Sequence, residues 1–291
     1  MAHKLGNFFS GYMQLFLLYL LDVIAPLPPR IRYGITDIGA VLAYLLFSGK
    51  RNIVRKNIST IGNCAVQEKE VWEVFRNYGR YWAELPVVDQ VWERECKVIC
   101  GPDFPPSEPC FLGVTFHIGN FELFGPALFE YTGNELCVVA ERLYPKTLFD
   151  RFFKIRKKHH IHTIAHDDPK GIIAVLKNKK PLGVVCDRSV NRKGDEVSLF
   201  GKKWLMPMSI IRYALTMNIP VYISYCISEE GILQLFCKRA TGTIESVSLE
   251  ITSILETALC QHPLQWHNLS TGFKESDNTA KNKCQDNRSE I

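Results

Sequence analysis

The sequence predicts an α/β fold, with a mixed, mostly parallel central sheet flanked by helices and an apolar helical membrane anchor at the N-terminus. Three observations carry that expectation. From Phe111 onward short apolar runs alternate with amphipathic stretches, the pattern of a sheet with helices on its faces. Upstream, "EKEVWEVFRNYGRYWAEL" places Val71, Trp72, Val74, Phe75, Tyr78, Tyr81, Trp82 and Leu85 at helical spacing, which reads as an amphipathic helix. At the start, "FFSGYMQLFLLYLLDVIAP" (8–26) is about long enough to span a bilayer, although Gln14 and Asp22 interrupt it.

Taken in order, the N-terminal segment reads as a retained anchor or interfacial helix, ahead of a buried helix of the fold. A cleaved signal is the weakest reading, because no small-x-small site follows cleanly and a second apolar run, 35–47, comes soon after. Arg30, Arg32, Lys50, Arg51, Arg55 and Lys56 follow the first run, and the positive-inside rule then keeps the remainder cytoplasmic. Strands are expected at 111–116, 136–140, 161–165, 182–186, 220–227 and 231–237. Helices are expected at 121–130, 146–158, 169–177, 208–218 and 244–260. Asp168-Pro169 supplies a cap followed by Pro at the first helical position, and Met206-Pro207 opens the later helix similarly. The tail, 274–291, has almost no apolar residues and is expected to be disordered. Three parts result: anchoring helices over 1–50, one domain over 51–273, and the tail.

Composition narrows the function classes. The chain has 291 residues, 46% hydrophobic and 22% charged, which lies near the globular average and argues against a polytopic membrane protein. A net charge of +5 suits an acidic partner or an anionic membrane surface, and is too thin for a nucleic-acid face. The ten cysteines are scattered, several within apolar runs, and form no Cys-x-x-Cys pair, which favours a reducing, cytosol-facing location. No Gly-rich phosphate loop or dinucleotide fingerprint is present.

The chemistry concentrates in "GVTFHIGNFELFG" (113–125), where an apolar strand runs into His117 and reaches Glu122 five positions on. On one continuous helix these two would lie about 140° apart, so they could meet only across a turn. Gly119 and Asn120 supply that turn, with Asn120 also a good cap for a following helix. An imidazole at a strand end, oriented by a carboxylate in the first helical turn, outlines a general-base dyad. Asp187, at the end of strand 182–186, is a second candidate orienter, since ligand sites of open α/β sheets gather at strand carboxyl ends. His160, His162, His166 and Asp167 suggest metal ligands, but chance histidines are the better reading and no metal is expected.

His117-Ile-Gly-Asn-Phe-Glu122 resembles the His-x4-Asp/Glu signature of the glycerophospholipid-type acyltransferase fold. The branch it is closest to holds the lipid A late acyltransferases and the phosphatidylinositol mannoside acyltransferases. The neighbourhood matches in order. "VVAERLYPKTLFDRFFKIR" resembles the block leading to the family's Arg, here Arg156. "KKPLGVVCDRSVNRKGDEVSLFGKKWLMPMSIIRYALTMNIPVYISY" resembles the Asp-Arg strand end, the Gly-x-x-Val-x-Phe-Phe-Gly loop and the next helix and strand. "HPLQWHNLSTGF" resembles the closing Pro-x-Gln-Trp segment. His160 stands where the family usually has Gly, Leu199 replaces the first Phe of the loop, and His267 replaces a Trp.

The resemblance implies acyl transfer from a thioester, carried by acyl carrier protein or coenzyme A, to a hydroxyl of a lipid or glycolipid. The acceptor it most favours is a lipid A-type precursor of lipopolysaccharide. His117 would be the base and Glu122 its orienter, with Asp187, Asn120 and Gly119 in support. Backbone N–H groups near Gly119 and the Arg156 guanidinium are candidate oxyanion donors. Arg156, Arg188, Arg192 and Lys193 would face phosphate groups, since the planar Arg fork donates paired bonds. No cofactor, metal or nucleic acid enters. The expected location is the cytoplasmic face of the inner membrane. Lysophospholipid or other glycolipid acylation, and a non-catalytic lipid-binding role, are the alternatives.

Overall fold

The computed structural model describes residues 2–94, 96–189, 194–229 and 231–273. Helices α1 (Ala2–Ile24), α2 (Pro29–Leu46), α3 (Ser48–Gly62), α4 (Glu68–Glu84) and α5 (Val88–Arg94) precede the first strand. There follow β1 (Cys96–Cys100), β2 (Leu112–Thr115), α6 (Phe124–Thr132), β3 (Leu136–Ala140), α7 (Lys146–Lys158), β4 (Ile161–Ala165), α8 (Pro169–Lys177) and β5 (Leu182–Val185). The chain closes with β6 (Asp195–Leu199), β7 (Lys202–Met206), α9 (Ser209–Thr216), β8 (Val221–Glu229), β9 (Ile232–Ala240) and α10 (Ile244–Gln261). The tail 274–291, Arg192 and Lys193 lie outside the described residues.

Seven strands form one sheet in the order β1-β9-β8-β2-β5-β3-β4, with β8 and β9 antiparallel and every other neighbouring pair parallel. This is the mixed, mostly parallel sheet expected from the alternation of apolar runs and amphipathic helices. Because successive strand residues point to opposite faces, β2 and β8 feed two cores. Leu112, Val114, Phe116, Val221 and Ile223 pack toward α8, α9 and α10, while Phe111, Tyr222 and Cys226 pack toward α5 and α6. The elements the sequence reading did not assign are β1, α3, α5 and the hairpin of β6 and β7. The hairpin hides in sequence because Glu196 and Lys203 pair on its outer side, so no continuous apolar run marks it.

The N-terminal helices depart from a simple anchor. Leu18, Leu21 and Ile24 of α1 are buried against Ala83, Leu85, Leu148, Phe152 and Ile155. Asp22, which interrupts the apolar run, ion-pairs with Arg151 of α7. One face of α1 is thus core of the domain, and among the described residues no single helix is long and apolar enough to cross a membrane. Among the described residues α2 and α3 taken together reach that length and composition, and they are bent by 96° to each other.

Candidate active site

The register of the sheet builds the centre of the site. β2 and β5 run parallel, with Leu112 opposite Leu182 and Thr115 opposite Val185, so continuing two residues past the pair sets His117 beside Asp187. Both lie at strand carboxyl ends, where an open α/β sheet leaves a crevice. Nδ1 of His117 and Oδ1 of Asp187 are 2.6 Å apart. The carboxylate is fully buried, while the His117 side chain keeps 23% exposure. Burial pushes the Asp187 carboxyl up, but the charge of His117 and hydrogen bonds from His117 and Trp266 outweigh it and hold the group below the ordinary Asp value. An ionised Asp187 accepts from Nδ1–H, which leaves Nε2 of His117 with the lone pair.

Two indoles hold Asp187 from behind. Trp266 Nε1–H donates to Oδ2 at 2.7 Å, and Trp204 Nε1–H donates to the Asp187 backbone oxygen at 2.7 Å. Trp204 comes from β7 and Trp266 from the segment after α10. That closing segment also donates from the His267 backbone N–H to the His117 oxygen at 2.7 Å and accepts from Gly119 N–H through the Gln265 oxygen at 2.9 Å.

The turn after His117 is tight. Gly119 has φ +56°, and a Cβ there would collide with the Cys226 carbonyl oxygen of β8. Asn120 does not cap the next helix with its side chain; its amide donates to Glu84 Oε2 at 2.7 Å, and its backbone N–H to Cys226 oxygen at 3.0 Å. The chain then enters a short 3-10 turn, Phe121–Leu123, ahead of α6.

Within that turn Glu122 points away from the role expected of it. Arg156, in the last turn of α7, grips the carboxylate with Nε at 3.0 and 3.1 Å and Nη2 at 2.6 Å, and Tyr81 donates its hydroxyl to Oε1 at 3.3 Å. Both partners of the ion pair are largely buried. A buried carboxylate needs a compensating charge. The permanent guanidinium supplies it, so the orienting bond to His117 comes from Asp187 instead. The same geometry engages the expected oxyanion donors: Gly119 N–H is given to Gln265 and Asn120 N–H to Cys226, and Arg156 gives Nε and Nη2 to Glu122.

An aromatic row from α4 lines the other side. Phe121 stands edge-on to the His117 ring at 5.3 Å and stacks on Tyr81 at 5.2 Å; His267 packs against both Tyr81 and Tyr78 at 5.3 and 5.5 Å. His267 Nε2–H donates to the Gly119 carbonyl at 2.8 Å, and burial pushes the imidazole down to about 3. Beside the dyad, a small, partly open cavity of about 40 Å³ lies between the sheet and α6. Its walls are Val138, Val139, Leu136, Ile161 and Phe124, and Glu122 and Arg156 lie at its polar end. Phe121 borders both the cavity and His117.

Of the residues expected from sequence, His117, Asp187, Gly119, Asn120, Glu122 and Arg156 are thus gathered at one end of the sheet. Arg188 follows Asp187 and donates to Glu141 at 3.4 Å. His162 pairs with Glu135, and Asp167 with Arg142, across two surface contacts. His160 adopts φ +61°, the left-handed region a Gly enters freely, and stacks on Phe129 at 3.4 Å. The sequence reading gave no role to Tyr81, Glu84, Trp204, Trp266 or His267. Tyr81 and Trp204 showed only aromatic character, which a core position shares; Glu84 showed only a charge at a helix end, and Trp266 and His267 only their place in the closing segment.

Comparison with known proteins bears on the family of the chain. The model of the bacterial lipid A biosynthesis acyltransferase family matches residues 107–275. The chain is 25% identical over 256 residues to a phosphatidylinositol mannoside acyltransferase of Mycobacterium tuberculosis, covering 80% of this chain and 79% of that protein. It is 22% identical over 271 residues to the phosphatidylinositol mannoside acyltransferase of Mycolicibacterium smegmatis, covering 85% and 86%.

Proposed function

Because the chain belongs to the bacterial lipid A biosynthesis acyltransferase family and is an acyltransferase, we propose that it moves a fatty acyl group from a thioester to a hydroxyl of a glycolipid. The observation that carries this reading is the His117–Asp187 contact of 2.6 Å on a buried carboxylate. With Nδ1–H given to Asp187, Nε2 takes the proton of the acceptor hydroxyl as its oxygen attacks the thioester carbonyl carbon. The tetrahedral adduct collapses, the carbon–sulfur bond breaks, and Nε2–H returns the proton to the leaving thiolate. Asp187 stabilises the imidazolium between the two transfers, as the acid of a Ser-His-Asp triad does, with the substrate hydroxyl in place of the serine. The apolar lining of the small cavity next to Phe121 suits the start of an acyl chain, which would have to widen it to enter fully, and Arg188 at the strand end suits a phosphate of the acceptor or carrier.

The thioester is that of acyl carrier protein or coenzyme A, and no cofactor takes part. Among acceptors, a lipid A-type precursor is the expectation from the motif, whereas the relatives' own names favour a mannosylated phosphatidylinositol. The exposed apolar faces of α1 and α2 support work at a membrane surface, with the cytoplasmic inner-membrane face as the site of action. The test uses the purified full chain with long-chain acyl-coenzyme A, each glycolipid in vesicles, thiol detection and mass spectrometry of the product. The wild type should release thiol only with acceptor present, and His117→Ala should lose about 10²- to 10⁴-fold in turnover. Equal thiol release by the two proteins, or product from neither glycolipid, would sink the reading.

A further inference from the structure

We propose that Trp266 is a positioning residue for the dyad: its indole N–H holds Oδ2 of Asp187 so that Oδ1 alone serves His117, while Trp204 pins the peptide that carries the carboxylate. This rests on the acyl-transfer reading above. The carboxylate is fully buried, so each of its oxygens needs a protein donor. Oδ1 has His117 Nδ1 at 2.6 Å and Oδ2 has Trp266 Nε1 at 2.7 Å, which fixes the carboxylate plane. The Trp204 bond of 2.7 Å fixes the backbone behind it. Both indoles are almost fully buried, their rings stand 5.9 Å apart, and Phe273 packs at 4.6 Å from Trp204 and 6.2 Å from Trp266. They arrive from separate parts of the chain, the hairpin and the closing segment, and neither lines the cavity beside Phe121.

His117, His267 and Cys186 are titratable side chains that interact electrostatically with Asp187. Burial holds Cys186 well above its ordinary value and His267 down at about 3, so neither changes charge between pH 5 and 8. Burial also raises the carboxyl of Glu84, which accepts from Asn120 three residues past His117, so the acid limb of the pH–rate profile is read as the difference between Trp266→Phe and Trp204→Phe, neither of which alters Glu84.

Trp266→Phe keeps the ring and removes the donor. An Oδ2 left without its bond makes the carboxylate a stronger partner for the imidazolium. The acid limb of kcat/KM for long-chain acyl-coenzyme A should then move up by roughly half to one pH unit, with kcat down about tenfold and KM little changed. Trp204→Phe, which removes a bond to the backbone only, should lower kcat and leave the limb in place. A merely structural indole would lower stability without moving the limb, and an unshifted limb in Trp266→Phe overturns the proposal, as does an equal shift in Trp204→Phe. His117→Ala separates the two readings: if it releases thiol like wild type, the acyl-transfer reading falls; if it is inactive while Trp266→Phe matches wild type, only the indole proposal falls. Should Trp266→Phe fail to fold, the wild type decides by nuclear magnetic resonance. An indole N–H signal should follow the His117 titration and cease to do so in His117→Gln, and the absence of any such signal overturns the proposal.

Discussion

His267 shows how burial sets the chemistry of single residues here. Its Nε2–H is committed to the Gly119 carbonyl, its Nδ1 is buried without a partner, and burial pushes its pKa down to about 3. In the unfolded chain an imidazole takes up a proton below about pH 6.5. Between that value and about 3 the unfolded state binds more protons than the folded one, so stability falls as pH drops through this window. Each unit within it costs about 1.4 kcal/mol. His267→Gln keeps a donor for Gly119 and removes the titration, so its melting temperature should fall less than that of wild type from pH 6.5 to 4.5, as read by calorimetry. Glu122 and Arg156 make a second residue-scale demand. Losing one member of a buried pair costs about 3–5 kcal/mol because the other is stranded. Arg156→Met should therefore destabilise strongly, and adding Glu122→Gln should restore part of the loss in a double-mutant cycle by urea denaturation. Additive losses would mean the two side chains act independently.

At the scale of elements, two short connections carry the site. The turn at Gly119 passes so close to β8 that Gly119→Ala meets the Cys226 carbonyl and also forces a side chain to φ +56°. Displacement of the turn moves His117 off Asp187, so this variant should lose most turnover even where circular dichroism shows a folded protein. The closing segment is tied to α3 by Asn57, whose amide donates to the Asn268 and Thr271 oxygens at 3.2 and 3.1 Å and whose oxygen accepts from Phe273 N–H at 3.2 Å. Asn57→Ala strands buried backbone groups and should cost about 1–3 kcal/mol. Because this segment delivers Trp266 to Asp187, its loosening should also reduce kcat. Unchanged melting temperature and turnover would show that the segment is held elsewhere.

For the molecule as a whole, the apolar surface is unevenly distributed. Phe16, Val23, Ile38, Leu42, Leu45 and Leu46 are exposed on α1 and α2, with Arg30, Lys50 and Arg51 nearby in sequence. An apolar face with basic neighbours suits an anionic bilayer surface. The expected outcome is cosedimentation with vesicles containing anionic lipid, weakened by salt and lost in Leu42→Glu/Leu46→Glu without a change in melting temperature. Equal cosedimentation of that double variant would place the contact elsewhere on the molecule.

Residue spacing alone determined the α/β architecture, because apolar periodicity is a local property that survives tertiary packing. It likewise determined the boundaries of α7, β3, β4 and α8, and it put His117 and Asp187 at strand ends. Which carboxylate meets the imidazole was decided only by tertiary structure. Glu122 is five residues from His117 and Asp187 is 70 residues away, yet the parallel register of β2 and β5 aligns the distant pair while Arg156 draws the near one aside. Trp204, Trp266 and His267 were legible as apolar or aromatic residues, not as partners of the site, because a hydrogen bond across 79 residues leaves no periodic trace. The anchor reading failed in part for the same reason. Hydropathy reports how apolar α1 is, and only packing shows that one face of it belongs to the core beside α4 and α7.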